Sequence, residues 1–141
     1  MKILVINGPN MNLLGLREPD IYGRTTYDEL LDMIRGWAAD LGLEVDFFQS
    51  NHEGALVDAI QEASGRYEGL LINPAAYTHT SIAIPDAIRA VGIPAVEVHI
   101  SDIQSREEFR RISYPAPACQ ISYSGLGIEG YKRGLEFFAK R

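Results

Sequence analysis

The chain has 141 residues, 46% of them hydrophobic and 23% charged, with a formal net charge of −6. That is enough for one domain with a proper core, and an acidic balance argues against a nucleic-acid or anionic-membrane binder. One cysteine, Cys119, excludes an intrachain disulfide and fits a reducing compartment.

No apolar run approaches a membrane span, and the N-terminus leads directly into a strand, so a cytoplasmic protein with no membrane partner is expected. The apolar run Ile3–Ile6 reads as a buried strand. After it comes a long segment rich in Asn and Gly, Asn7 to Gly23, which carries Arg17 and Tyr22 between Gly15 and Gly23. Loops of this length in compact domains are uncommon and tend to be functional.

Thr26 and Glu29 form a capping box that opens the first long helix, with an apolar stripe at Leu30, Ile34, Trp37 and Leu41 and a stop at Gly42. Leu43–Phe48 alternates apolar and acidic, as an edge strand does. Ser50-Asn51 can cap the next helix, with stripe Leu56, Val57, Ile60 and Ala63. Leu70–Asn73 is apolar throughout and reads as central. The segment Pro74–Ser81 leads into a helix that tolerates Pro85 only near its first turn.

Ala95–Ile100 is the fourth strand, followed by a turn of helix around Arg106–Arg110. The fifth strand is expected near Ala118–Tyr123 and alternates like an edge. The last helix runs from about Gly127 to Ala139 with Tyr131, Leu135 and Phe138 on one stripe. Five strand–helix units with apolar central strands predict a single α/β domain over 1–141. The expected architecture is a doubly wound parallel sheet in the flavodoxin-like order 2-1-3-4-5, with its ligand beyond the carboxyl ends of the strands.

Polar residues converge at those ends: Asn7, Asn10, Asn73, His79, Glu97, His99 and Ser101, with Arg17, Tyr22 and Arg110 from loops. Glu97 and His99 are two apart in a strand and share a face, as either a structural pair or a proton-transfer pair. Tyr22 reads as a loop-packing residue or as a base. As a base near pH 7 its phenol would need a drop of about 2–3 units, or roughly 3–4 kcal/mol, which the guanidinium of Arg17 is placed to supply. His52 reads as structural and Cys119 as a small strand residue. P-loop, HExxH and CxxC motifs are missing, and Lys2, Lys132 and Lys140 lie away from the strand ends. Metal-free acid–base chemistry on a small anionic ligand, without a cofactor, is the expectation.

Asn7-Gly8-Pro9-Asn10…Arg17-Glu18-Pro19…Tyr22-Gly23, Asn73–Ser81, Glu97–Ser101 and Arg106–Arg110, with Ser113-Tyr114 and Gly125-Leu126-Gly127…Gly130-Tyr131, resemble type II 3-dehydroquinate dehydratase over essentially the whole chain. The resemblance implies a shikimate-pathway hydro-lyase that converts 3-dehydroquinate to 3-dehydroshikimate. By resemblance, Tyr22 is the base, Arg17 stabilises the enolate and the tyrosinate, and His99, supported by Glu97, is the acid. Asn10 would hold an ordered water at the enolate oxygen.

Asn73 and the backbone of Ile100 and Ser101 would receive the substrate carboxylate, and His79, Arg110 and Asp86 its ring hydroxyls. The resemblance further implies a homo-oligomer, a dodecamer built of trimers, in which Asp86 reaches a neighbour's site. It also implies a closing lid that carries Arg17 and Tyr22. Asp102 stands where the family usually has Asn, Gln104 and Ile112 where His is common, and Cys119–Ser124 is more polar than usual. The alternative reading is a non-catalytic ligand-binding or regulatory member of the same fold; a third is a flavin-binding electron carrier.

Overall fold

The structure is a computed structural model that describes residues 1–16 and 18–141, except for the side chains of Pro19 and Tyr22. Five parallel strands form one sheet in the order β2-β1-β3-β4-β5. They are β1 Lys2–Asn7, β2 Glu44–Gln49, β3 Gly69–Asn73, β4 Ala95–His99 and β5 Ile121–Ser124. The helices are α1 Pro19–Tyr22, α2 Tyr27–Asp40, α3 Glu53–Glu62, α4 Ala83–Val91 and α5 Glu129–Ala139.

This is the flavodoxin-like architecture the strand patterns predict, and for the predicted reason. β1, β3 and β4 are buried nearly throughout, whereas β2 and β5 are partly exposed. Period-2 alternation sorts the central side chains to two faces. Ile3, Val5, Leu71, Val96 and Val98 pack under α2 and α5. Leu4, Ile6, Leu70, Ile72 and Ala95 pack under α3 and α4. No helix among the described residues is long and apolar enough to cross a membrane.

Several boundaries differ from expectation. β5 begins at Ile121, because Ala116–Ala118 forms a 3-10 turn after Pro115 and leaves Cys119 just ahead of the strand. His52, rather than Ser50 or Asn51, occupies the α3 N-cap position, without a side-chain cap. Ser50 Oγ accepts from the His52 N–H, and Asn51 Oδ1 accepts from the Asn10 N–H. The Asn7–Gly23 segment is not structureless: Met11–Leu13 is a 3-10 turn and α1 opens on Pro19, the first helical position, where a missing N–H costs nothing. Thr26 and Glu29 form the predicted capping box reciprocally, at 3.2 and 3.0 Å. Gly42 ends the first long helix region with φ 72°. Pro85 sits in the first turn of α4, where its nitrogen needs no partner.

The segments leaving β1 and β3 pass very close together at the end of the sheet. The Gly8 N–H donates to the Asn73 carbonyl at 2.8 Å, and a Cβ at Gly8 would collide with the Pro74 carbonyl. Backbone on both sides leaves no flexible side chain to yield. Gly8→Ala is therefore expected to destabilise the protein by about 1–3 kcal/mol, the usual cost of overpacking, read as a lower midpoint in urea.

Candidate active site

The cavity lies where that crossing brings the carboxyl ends of β1, β3 and β4 together, the switch point of a doubly wound sheet. Its volume is about 110 Å³, so it suits a small ligand. Asn10, Asn73, His79, His99, Ile100, Ser101 and Arg110 line it, as the sequence predicted. Met11, Leu14, Ile103 and Arg106 line it as well, and none of these was expected. Glu97 stands behind His99. Asp86 does not line the cavity: it is exposed on α4, 3.9 Å from the Arg89 guanidinium, so it is not a ligand of its own subunit's site. Arg17 lies outside the described residues, and so does the Tyr22 side chain.

Glu97 is 1% exposed and His99 5%. Period 2 puts both on one face of β4, with Glu97 Oε1 3.1 Å from His99 Nε2. A buried carboxylate is costly unless its lone pairs are filled. Ser113 Oγ lies 3.0 and 2.8 Å from the two carboxylate oxygens, Ser122 Oγ donates to Oε1 at 2.9 Å, and Thr78 Oγ1 to Oε2 at 3.4 Å. Ser122 reaches it because β5 sets Ser122 directly beside Glu97. Burial by itself pushes the Glu97 carboxyl up, but His99 and the serine hydroxyls outweigh it and hold the pKa below the ordinary value. The 3.1 Å approach misses the alignment of a hydrogen bond, so His99 Nε2 is a buried nitrogen held against the carboxylate without a hydrogen-bond partner among the described residues.

His79 Nδ1 lies 2.8 Å from the Ile112 carbonyl, which can only accept, so Nδ1 carries the proton. The remaining nitrogen, Nε2, is then an acceptor. Burial lowers the His79 pKa, which favours the neutral ring that can play this part. Phe109 braces His79 edge-on, with ring centres 6.5 Å apart.

Across the cavity mouth, Arg106 Nη1 donates to Ser101 Oγ at 3.1 Å, and Arg110 Nε is 2.8 Å from Glu107. The two arginines are four residues apart. They place positive charge at the cavity of an acidic protein, as an anionic ligand requires. Asp102 points away: its carboxylate caps the next turn through the Gln104 N–H at 3.0 Å, and it is not part of the lining. Gln104 donates to the Arg111 carbonyl at 2.8 Å, and Ile112 acts on the site through its backbone.

Asn10 has a left-handed backbone, φ 68°, which Asn tolerates better than most residues. Asn51 and Gln49 hold the chain there: Gln49 Nε2 donates to the Gly8 carbonyl at 3.1 Å. Ala75, also lining the cavity, is left-handed at φ 55°. A non-glycine residue there costs of order 1–3 kcal/mol, and the bond from its N–H to Asn73 Oδ1 at 3.0 Å helps to hold it.

Cys119 is half-buried, and burial first, then the Glu97 charge, push its thiol up to about 12. It is an inert thiol near the site rather than a nucleophile. Among the described residues no lysine lines the cavity.

The depressed Glu97 pKa fixes a sign. Its stabilising contribution is present above the unfolded carboxyl value of about 4.3 and is lost as pH falls through the folded value. Ser113→Ala is expected to cost about 1.5–3 kcal/mol at pH 7, the range for a hydrogen bond to a charged group. The gap to the unmodified protein should narrow as Glu97 protonates, measured by denaturant titration at pH 7 and pH 3.5.

Comparison with known proteins agrees along the whole chain. The family model described as dehydroquinase class II matches residues 1–139. A 3-dehydroquinate dehydratase of Geotalea daltonii is 56% identical over 96% of this chain and 94% of its own. One from Caldicellulosiruptor saccharolyticus is 59% identical over 92% and 90%. The crystal structure of a type II dehydroquinase from Butyrivibrio crossotus superposes with a TM-score of 0.96 at 48% identity, covering 100% of this chain and 98% of the other. With a matching family model over nearly every residue and relatives above half identity, this chain belongs to the class II dehydroquinase family.

Proposed function

We propose that the chain dehydrates 3-dehydroquinate to 3-dehydroshikimate, in the shikimate or quinate pathway, by proton transfer without an imine. The observation that carries this reading is the His99–Glu97 pair at a small cavity with two arginines and no lysine among its described lining residues. A lysine imine has no amine in reach, so the carbanion beside the ketone must be held as an enolate.

Tyr22, as phenolate, takes the proton alpha to the ketone. The C–H electron pair becomes the enolate, and Arg17 stabilises both that anion and the tyrosinate. Asn10 holds a water against the enolate oxygen. The enolate then re-forms the ketone and expels the beta hydroxyl, which leaves as water with a proton from His99. Glu97 keeps His99 oriented and steadies its protonated form. Proton transfer from Tyr22 back to His99 through solvent resets the pair. Preplaced donors around the developing enolate supply the largest share of the acceleration, with the acid and base adding roughly 10²–10⁴-fold.

The substrate carboxylate is received by Asn73 and the Ile100–Ser101 backbone, near the Arg106 charge. His79 and Arg110 take ring hydroxyls; with Nε2 unprotonated, His79 accepts from one of them. Asp86 faces away from its own cavity, which fits a role in a neighbouring subunit's site within a trimer-based dodecamer. The segment with Arg17 and Tyr22 follows directly on Met11 and Leu14, which line the cavity, and closes over the bound substrate.

An ultraviolet assay of enone formation from 3-dehydroquinate tests the reading directly. Activity should survive prior treatment with borohydride and substrate; inactivation would mean an imine. Tyr22→Phe and Arg17→Ala should each lose at least about 10²-fold in kcat, while Tyr22→Phe still binds a product analogue in calorimetry. A Tyr22→Phe enzyme with unreduced kcat would remove Tyr22 as the base. Binding of 3-dehydroquinate by the unmodified chain with no enone would favour the non-catalytic alternative.

A further inference from the structure

Tyr131, on α5, is fully buried, yet its hydroxyl is not idle. It donates to Asn7 Oδ1 at 2.6 Å and accepts from Asn73 Nδ2 at 2.9 Å. Asn7 and Asn73 are direct neighbours in the β1–β3 register, the last residues of their strands. Asn7 Nδ2 passes the chain on to the Tyr27 hydroxyl at 3.4 Å.

This network decides how Asn73 can serve a ligand. Its Oδ1 is taken by the Ala75 N–H at 3.0 Å, so the amide cannot be flipped. One Nδ2 hydrogen goes to Tyr131. The other has only Met11 Sδ, at 3.7 Å, a weak acceptor that itself lines the cavity beside Asn73. Asn73 therefore has one N–H donor left to offer the cavity, while its oxygen is turned toward the Ala75 N–H. Burial drives the Tyr131 pKa far upward, so its hydroxyl keeps its proton and its orientation toward Asn7.

We propose that Tyr131 is a positioning residue of the reaction: its hydroxyl turns the Asn73 amide so that one N–H faces the cavity and binds the substrate carboxylate in place of the Met11 sulfur contact. This rests on the assignment of the carboxylate to Asn73 above. Phenylalanine at 131 would fill the same space and leave the Asn73 amide held by the Ala75 N–H alone. The buried Asn73 N–H would then seek the Asn7 carbonyl, and the cavity would lose its donor.

The test compares steady-state kinetics of 3-dehydroquinate with those of its uncharged methyl ester. Tyr131→Phe should raise KM for the acid about tenfold, the usual effect of a hydrogen bond to a charged group. Its kcat should stay within about twofold and its KM for the ester should hardly move. A general structural loss would weaken acid and ester together, and that result, or an unchanged KM for the acid in a folded variant, overturns the proposal. If the unmodified enzyme uses acid and ester alike, the carboxylate does not bind here and the underlying assignment fails instead. Asn7→Ala supplies a second arm should Tyr131→Phe not fold. It removes the acceptor that aims the Tyr131 hydroxyl and should shift KM in the same direction, by about threefold; a folded Asn7→Ala enzyme with an unchanged KM also overturns the proposal.

Discussion

A full negative charge sits inside the sheet, and much of this molecule is arranged around keeping it there. Glu97 is 1% exposed on a central strand, where an isolated carboxylate would cost several kcal/mol or would simply take up a proton. It stays ionised because His99 stands 3.1 Å away and the hydroxyls of Ser113, from the loop after Arg111, and Ser122, from β5, converge on it, with Thr78 after β3 completing the ring. Each hydroxyl contact ties a separate segment to β4. The order of the sheet, the path of the 101–120 connection and the setting of β5 all bear on the surroundings of this one group.

On the other side of the sheet a neutral arrangement does corresponding work. Asn7, Asn73, Tyr131 and Tyr27 share hydrogen bonds among themselves, and the chain of donors runs in one direction, from Asn73 to Tyr131 to Asn7 to Tyr27. The two faces meet at the cavity. From one comes the Glu97 carboxylate with His99 beside it, from the other an amide held still. This division explains why the site sits at the strand ends: only there do odd-numbered side chains of β1 and β3 and those of β4, which point to opposite helical layers, reach the same space.

Much of this was legible in the sequence. Apolar central strands and alternating edge strands gave the sheet order, because burial on two faces or one leaves a direct mark on residue pattern. Glu97 and His99 could be placed on one face from spacing alone. The partners of those residues could not. Tyr131 reads as one more member of an apolar stripe, since nothing local reveals that its hydroxyl meets groups 58 and 124 positions away. Ser113 and Ser122 look like ordinary loop and edge polar residues until the register of β5 is known. Arg106 was visible as part of a charged turn, but only the fold shows it at the cavity. Asp102, which stands where the family usually has Asn, proves to be occupied in capping a turn. β5 was placed too early because Pro115 and Pro117 favour a turn over the alternation that follows.

The fixed tautomer of His79 has a consequence for molecular handedness. Its free nitrogen accepts, the Asn73 amide donates, and the paired arginines at 106 and 110 attract anions. Three anchors of different chemical character, approached only from the open side of the cavity, distinguish a ring from its mirror image. A ring whose substituents match the frame meets three favourable partners; its enantiomer, seated by its anion, must set a donor against a donor or leave a buried group unmet. The direction of one imidazole proton decides which hydroxyl orientation that anchor can meet.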